Sequence, residues 1–135
     1  MTITDHRFLK GAPVAARIIE ETREAALKAA AEGWPPQLVS VTVGDVDAVD
    51  VYVRNQRRKA EQAAIRFEEK RFPESISQVE LVEAITAMNA DPRVTGIIVQ
   101  RPVPAHISIK QLQSAIDPSK DVEGMHPASI GNIVY

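Results

Sequence analysis

The sequence has no cysteine among its 135 residues. Disulfides, thiolate zinc sites and a cysteine nucleophile are therefore excluded, and the composition fits the reducing cytoplasm. The chain also has no run of about 18 apolar residues, which a membrane-spanning helix would need. Residues 1–7 are polar and no continuous apolar stretch follows them, so we expect no secretory signal.

A strong charge of one sign is also missing. The 16 basic and 18 acidic side chains give a formal net charge of −2, which provides no global attraction for a nucleic acid. No Gly-x-Gly-x-x-Gly pattern follows a predicted strand, so that dinucleotide-binding motif is absent. The hydrophobic fraction of 44% is ordinary for a soluble globular protein. Because the length allows one apolar core but not two, we expect a single domain over residues 1–135.

What the sequence does contain is an alternation of helical and extended patterns. Apolar residues at helical spacing predict four helices, over residues 13–32, 48–64, 79–89 and 108–116. Two apolar, β-branched runs predict buried strands over residues 38–43 and 94–100, and residues 65–72 predict a short, partly exposed strand. This order indicates an α/β domain with a mainly parallel sheet and right-handed crossovers.

Some segment ends carry their own signals. Ser75 or Ser77 is expected to cap the third helix, and Asp91-Pro92 to end it. Ser129 is expected to cap a final helix that is cut off at Tyr135. A natural domain rarely stops just after its next helix has begun, so this pattern favours truncation of a longer chain.

Two side chains that could bind a ligand lie on the helix predicted over residues 48–64. Tyr52 and Gln56 are four residues apart, so they share a face and could contact a single ligand. An aromatic side chain that only covers its neighbour on the helix surface is the plainer interpretation. The lysine of the Tyr-x-x-x-Lys arrangement that is typical of short-chain dehydrogenases is absent. Spacing alone therefore leaves the role of this pair open.

In a parallel sheet, ligands bind beyond the carboxyl ends of the strands, which here means the loops after Val43 and Gln100. Gln100 ends a buried strand, where its amide could orient a ligand or a neighbouring side chain, or could only satisfy loop backbone. Pro102 and Pro104 remove backbone donors and stiffen the next loop, which would help to preorganise a pocket wall.

Two carboxylates lie in the polar loop predicted over residues 117–127. Asp121 or Glu123 could bind an amidine-like ring edge through paired hydrogen bonds, although a solvated acidic loop is the default interpretation. His6 and His106 show no partner in the sequence, and His126 stands out only because it lies in this loop. No metal-ligand spacing connects the three histidines, so we predict no metal site.

Three segments, taken in order, resemble the signature regions of the bifunctional methylenetetrahydrofolate dehydrogenase/methenyltetrahydrofolate cyclohydrolase family. The first runs from Val43-Gly44-Asp45 to Tyr52-Val53-Arg54-Asn55-Gln56. The second is Gly96-Ile97-Ile98-Val99-Gln100-Arg101-Pro102-Val103-Pro104, and the third is Lys120-Asp121-Val122-Glu123-Gly124-Met125-His126-Pro127. Their order and separations are similar to those of the family over essentially the whole chain.

The resemblance implies a three-layer α/β fold of the amino-acid-dehydrogenase-like N-terminal type, a homodimer, and a folate cleft. It also implies an NADP-binding Rossmann domain that faces this cleft and is missing from the chain, either truncated or supplied as a separate subunit. Family members oxidise 5,10-methylenetetrahydrofolate with NADP and then hydrolyse the methenyl product to 10-formyltetrahydrofolate. The chain is thus expected to bind a reduced folate or a related pterin as the substrate half of such an enzyme.

Carried over by position, the resemblance makes Tyr52 the tyrosine that packs on the folate ring and Gln100 the glutamine that positions the family's lysine. Gln56 stands in place of that lysine, Glu123 in place of the aspartate that holds the pterin edge, and Val49 in place of a usual serine. The implied catalytic residues are Tyr52, Gln56 and Gln100. The implied substrate-binding residues are Tyr52, Gln100, Pro102, Asp121 and Glu123.

The replacement at position 56 has a chemical consequence. A side-chain amide has no titratable proton near neutral pH and cannot act as an ordinary general acid or base, so hydrolysis is expected to be weak or lost. Hydride transfer depends mainly on positioning the one-carbon unit, and it tolerates a neutral residue better. Two alternatives stay open: a non-catalytic folate-binding or dimerisation module of the same fold, and an unrelated α/β domain with chance matches.

Overall fold

Helices and parallel strands alternate along residues 9–135, the part of the chain that the computed structural model describes. The elements are α1 (Gly11–Ala31), β1 (Gln37–Val43), α2 (Asp47–Gln62), β2 (Arg66–Phe72), α3 (Gln78–Ala90), β3 (Gly96–Val99), α4 (Ile109–Ala115), a 3-10 turn (Pro118–Lys120) and α5 (Pro127–Gly131). The α/β class predicted from the sequence is confirmed. His6, one of the three histidines considered above, lies outside the described residues.

The sheet has the strand order β2-β1-β3, with both neighbours parallel to β1. A central strand is covered on both faces, which explains why β1 is apolar almost throughout. Val39, Val41 and Val43 point to one face and join the main core. Because side chains alternate along a strand, Ser40 and Thr42 point to the opposite face, and both are fully buried there.

Helices cover the two faces of this sheet and give three layers. On the first face, α3 contributes Leu81, Ile85 and Met88 to the core, at the spacing predicted from the sequence. The α4 residue Leu112 packs into the same core. On the second face, α2 buries Val49, Val53 and Ala60. The sheet therefore lies between two layers of helices.

The ends of α3 agree with the signals in the sequence. Ser77 is the N-cap, and its hydroxyl accepts a hydrogen bond from the Glu80 backbone N–H while the Glu80 carboxylate accepts one from the Ser77 N–H. Asp91 is the C-cap, as expected from Asp91-Pro92. Lys120 adds a cation at this end, since its Nζ donates to the carbonyl oxygens of Met88, Asn89 and Asp91 at 3.0, 2.7 and 2.7 Å.

The loop after this 3-10 turn closes over the free edge of β3. Asp121 forms an isolated parallel bridge with Ile97, which extends the sheet by one residue pair. Its carboxylate accepts a hydrogen bond from the His126 backbone N–H at 2.8 Å. Burial favours a higher pKa for Asp121, but the bond from His126 and weaker ones from Met125, Ser129 and Gly124 outweigh it and lower the pKa. The folded loop therefore prefers the ionised carboxylate.

The expected N-cap and the expected end of the last helix were both wrong, and His106 has a partner that the sequence does not show. The cap of α5 is His126, whose Nδ1 accepts from the Ala128 N–H at 3.0 Å; Ser129 lies inside the helix. Pro127 at the first helical position explains the earlier start, because its fixed φ suits that position and it has no N–H to satisfy. The helix also ends at Gly131 and does not run on to Tyr135. His106 has a partner, since its Nε2 lies 2.9 Å from the Ile76 carbonyl oxygen.

Gly96 gives the first testable feature of this packing. A Cβ placed on Gly96 would lie 2.6 Å from Val122 Cγ1 and 3.2 Å from Leu38 Cδ1. We expect Gly96→Ala to lower the free energy of unfolding by about 1–3 kcal/mol, as overpacking usually does. Urea unfolding measures the change. In the control Gly131→Ala no atom lies within 4 Å of the new Cβ, so a loss of similar size there would contradict this explanation.

Asp121 gives a second prediction, on pH dependence. Because folding lowers the pKa of Asp121, its stabilising effect is complete above the unfolded-state pKa and is lost as the pH falls through the folded-state pKa. We expect wild type to be more stable than Asp121→Asn near neutral pH, and the difference to shrink below about pH 4. Urea unfolding at several pH values measures it. A difference that stays constant down to pH 3 would show that ionisation of Asp121 is irrelevant.

Candidate functional site

A cleft of about 580 Å³ opens beside the carboxyl end of β3, within the size range of small-molecule sites. Its walls come from α2, from the end of β3 with the loop after it, and from the acidic loop. The lining residues are Val49, Tyr52, Gln56, Val99, Gln100, Arg101, Pro102 and Glu123. Five residues that the sequence singled out for catalysis or substrate binding, Tyr52, Gln56, Gln100, Pro102 and Glu123, therefore line one cleft.

Gln100 lies at the floor of the cleft and connects the sheet to α2. Its backbone N–H donates to the Val41 carbonyl oxygen at 2.9 Å, which continues the ladder between β3 and β1. Its side-chain Nε2 donates to Ser40 Oγ at 2.9 Å and to Gln56 Oε1 at 2.7 Å. Only 9% of Gln100 is exposed. Both amide protons are therefore used to hold neighbouring side chains.

Tyr52 and Gln56 form the wall that α2 contributes. The helix packs on the sheet through Val49 and Val53, which are buried. Tyr52 and Gln56 each follow one of these valines by three residues and face the cleft. Tyr52 is 68% exposed, so its ring offers a free face to a ligand. Gln56 is partly buried, with its oxygen bonded to Gln100. Its NH₂ group has no hydrogen-bond partner among the described residues.

The start of α2 is fixed by Arg71, at the end of β2. The guanidinium donates to the Gly44 carbonyl oxygen at 3.1 Å, to Asp45 at 3.0 Å and to Glu69 at 2.8 Å. It also pairs with Asp50 in the first turn of α2. These carboxylates, Asp50 above all, raise the pKa of Arg71. Gly44 has a φ of +73°, which glycine adopts without strain, and it turns the chain from β1 towards α2.

Glu123 and Arg101 bring the charges of the cleft. Glu123 is exposed at the mouth, yet partial burial of its carboxyl raises its pKa. The positive charge of Arg101 acts in the opposite direction, and the negative charge of Asp121 adds to the rise. The mouth of the cleft thus contains a carboxyl group and a guanidinium, whereas Gln56 and Gln100, which line the inner wall, are neutral.

The structure places Asp121 beside the cleft and not in its lining. Its carboxylate is turned into its own loop, where it accepts the His126 N–H, so its visible role is to hold the segment that carries Glu123. Pro104 lies in a smaller cleft of about 220 Å³, which also contains Pro102. The two prolines therefore form a rigid rim between neighbouring depressions.

Sequence reasoning did not single out three residues: Val99 and Arg101 in the lining of the cleft, and Ser40 behind Gln100. Arg101 was quoted only as part of a motif, although its place directly after Gln100 puts it in the same cleft. Ser40 was treated as one residue of an apolar strand, and its contact with Gln100 was not foreseen. A hydroxyl at a buried position of a central strand was the available signal, because buried polar groups usually have a hydrogen-bond partner.

Other kinds of site find no support within residues 9–135. There, no three side chains of the types His, Asp and Glu come together in a way that could hold a metal ion. None of the helices in this part of the chain is both long enough and apolar enough to cross a membrane. The loops after β1 and β3 have no glycine-rich turn of the kind that binds the phosphates of a dinucleotide.

Comparison with known proteins gives a consistent result. Residues 9–123 match the family described as tetrahydrofolate dehydrogenase/cyclohydrolase, catalytic domain. Bifunctional protein FolD 2 of Mesorhizobium japonicum is 70% identical over 131 residues, which are 97% of this chain and 43% of that protein. The chain therefore spans less than half the length of the curated relatives it matches.

Solved structures share the fold. A bifunctional FolD methylenetetrahydrofolate dehydrogenase/cyclohydrolase from Campylobacter jejuni superposes with a TM-score of 0.88 and 34% identity, covering 91% of this chain and 44% of that one. The methylenetetrahydrofolate dehydrogenase-cyclohydrolase of Trypanosoma brucei, solved with NADP cofactor and inhibitor, gives a TM-score of 0.83 and 28% identity over 93% of this chain and 43% of that one. By its matching residues and its fold, the chain belongs to the tetrahydrofolate dehydrogenase/cyclohydrolase family, as part of its catalytic domain.

Proposed function

We propose that this chain is the substrate-binding domain of an enzyme that oxidises 5,10-methylenetetrahydrofolate with NADP, and that Gln56 impairs the hydrolytic step. The observation that carries the proposal is the shared cleft of Tyr52, Gln56, Gln100 and Glu123 in a chain of this family. The longer protein would supply the nucleotide-binding domain, assemble as a homodimer and work in the cytoplasm. These last points rest on the resemblance to the family.

The cleft provides what oxidation of a bridged folate needs. Oxidation would remove a hydride from the methylene carbon between N5 and N10, and NADP held by the rest of the longer protein would serve as the hydride acceptor. Because no proton has to move, the protein contributes mainly by holding the folate in one orientation. The exposed ring of Tyr52 offers a stacking surface, and Glu123 offers a carboxylate to the pterin edge. Gln56 and Gln100 line the remaining wall.

Hydrolysis makes a different demand. Water must lose a proton as it attacks the methenyl carbon, and the bond from that carbon to N5 must then break as N5 gains a proton, so hydrolysis needs a group that can take up and give back protons. The inner wall offers only the amides of Gln56 and Gln100, which do not titrate. Glu123 and Arg101 are charged, but they lie at the mouth of the cleft. The arrangement therefore supports oxidation better than hydrolysis.

Tyr52 tests whether this cleft binds the folate. In the intact protein that carries this chain, we expect Tyr52→Ala to weaken the affinity for 5-formyltetrahydrofolate about tenfold, since an aromatic contact contributes about 0.5–1.5 kcal/mol beyond area burial. Tyr52→Phe should keep most of the affinity. Isothermal titration calorimetry measures the dissociation constants.

The matched control is Val51→Ala, because Val51 is the neighbouring residue on α2, is 49% exposed and lies outside the cleft. It should leave the affinity unchanged, and none of the three variants should lower the melting temperature much. Unchanged affinity in Tyr52→Ala would show that the folate binds elsewhere. A protein that binds reduced folate tightly but oxidises none of it would favour the alternative of a non-catalytic module.

Gln56→Lys tests the hydrolytic step. An amine at this position can exchange a proton, and general acid–base catalysis is typically worth 10²–10⁴-fold, so we expect hydrolysis of 5,10-methenyltetrahydrofolate to rise by about that factor. The fold should tolerate the change. Gln100 can turn its amide so that Oε1 accepts from the lysine, and the Ser40 hydroxyl can then donate where it now accepts. The loss of methenyl absorbance, corrected for the spontaneous rate, measures hydrolysis.

Gln111→Lys makes the same chemical change on α4, at an exposed position that does not line the cleft. It should leave hydrolysis at the wild-type rate. If Gln56→Lys also leaves it there while binding is intact, the block lies at Glu123, at Val49 or in the identity of the substrate.

A further inference from the structure

Ser40 is a buried hydroxyl in the middle of the central strand. It is 0% exposed and lies on the face of β1 that α2 covers. A buried hydroxyl without a hydrogen bond is costly, so its position on this strand calls for a partner. Ser40 Oγ has one in the Gln100 side chain, at 2.9 Å. The next hydroxyl on the same face, that of Thr42, is 1% exposed and has no partner among the described residues.

The contact with Ser40 determines where the Gln100 amide points. Gln100 Nε2 has two protons, and it donates to Ser40 Oγ and to Gln56 Oε1. Ser40 lies in the middle of the sheet, whereas the side chain of Gln56 is partly exposed on α2. The bond to Ser40 therefore fixes the Gln100 amide to the sheet. The bond from Gln100 to Gln56 then fixes the position of the Gln56 amide in the cleft.

We propose that Ser40 is a positioning residue of the folate cleft, which acts through Gln100 to fix the amide of Gln56 against the ligand. This inference rests on the function proposed above and adds a residue that does not itself line the cleft. Without the hydroxyl, Gln100 keeps only its bond to Gln56, which is partly exposed, and both glutamines gain rotamer freedom. Binding must then order two side chains that are ordered in advance in wild type, which weakens affinity.

Ser40→Ala and Thr42→Val form a matched pair for the test. Each removes a buried hydroxyl from the same face of the same strand, but only Ser40 contacts Gln100. In the intact protein that carries this chain, we expect Ser40→Ala to weaken the affinity for 5-formyltetrahydrofolate about fivefold, the equivalent of one hydrogen bond. Thr42→Val should bind as wild type does. Calorimetric titration measures affinity, and thermal unfolding confirms that both variants fold.

Two further variants separate positioning from general packing. Ser40→Cys keeps a weak donor and acceptor of similar size, so its affinity should lie between wild type and Ser40→Ala. In a Gln100→Leu background the Ser40→Ala change should have no further effect on affinity, because the residue through which Ser40 acts is gone. A merely structural role would give the same loss of affinity in both backgrounds.

The outcomes distinguish this inference from the function on which it rests. If wild type binds no reduced folate, both are overturned. If wild type binds and Ser40→Ala binds equally well, or if Thr42→Val weakens binding as much as Ser40→Ala does, Ser40 has no positioning role and the proposed function stands. An equal effect of Ser40→Ala with and without Gln100 contradicts the inference in the same way.

Discussion

The side-chain amide of Gln100 is the contact on which the geometry of the cleft depends. It is the point where the rigid sheet meets the helix that carries Tyr52 and Gln56. Its backbone is fixed by the ladder with β1, and its side chain is nearly buried. A small movement of this amide would therefore displace Gln56 relative to everything else in the cleft. The other supports, Arg71 at the start of α2 and Lys120 behind the acidic loop, hold the elements but do not touch the inner wall.

The distribution of charge follows from the same arrangement. The inner wall of the cleft is built from amides and apolar side chains, and the neutral hydrogen-bonded pair of Gln56 and Gln100 needs no counter-ion. The charged groups lie at the mouth, where burial raises the pKa of Glu123 and the positive charge of Arg101 acts to lower it. Under the function proposed above, a cleft of this kind orients a ring system and is poorly suited to moving protons. The proposed oxidation needs the ring system to be oriented, whereas hydrolysis needs protons to move.

Much of the fold follows from local patterns that are visible in the sequence. The apolar runs of β1 and β3, an N-cap at Ser75 or Ser77 and the core spacing of α3 were all predicted, because each depends on near neighbours in the sequence. The end of the chain was less predictable. Ser129 looked like an N-cap, but Pro127 allows the helix to begin earlier and His126 caps it instead. Two competing N-caps, His126 and Ser129, are three residues apart, and the sequence alone cannot separate them without the path of the loop.

The candidate site also has residues that could be singled out from the sequence and residues that could not. Helical spacing and the strand end made Tyr52, Gln56 and Gln100 candidates, the resemblance to the family gave them their expected roles, and the structure brings the three into one cleft. Ser40 was missed because its contact joins residues 60 positions apart, and only the register of β1 beside β3 brings them together. Asp121 was assigned to the ligand by its motif, whereas the structure turns its carboxylate to the backbone of the loop. Tertiary placement, not residue type, decides such cases.

The most direct test is to follow the products that the intact protein forms from 5,10-methylenetetrahydrofolate and NADP. A neutral inner wall predicts that 5,10-methenyltetrahydrofolate accumulates as NADPH forms, and that it converts to 10-formyltetrahydrofolate no faster than in the absence of protein. If 10-formyltetrahydrofolate instead appears at the rate of oxidation, with no accumulation of the methenyl compound, then Gln56 does not limit hydrolysis and the proposed division between the two reactions is wrong.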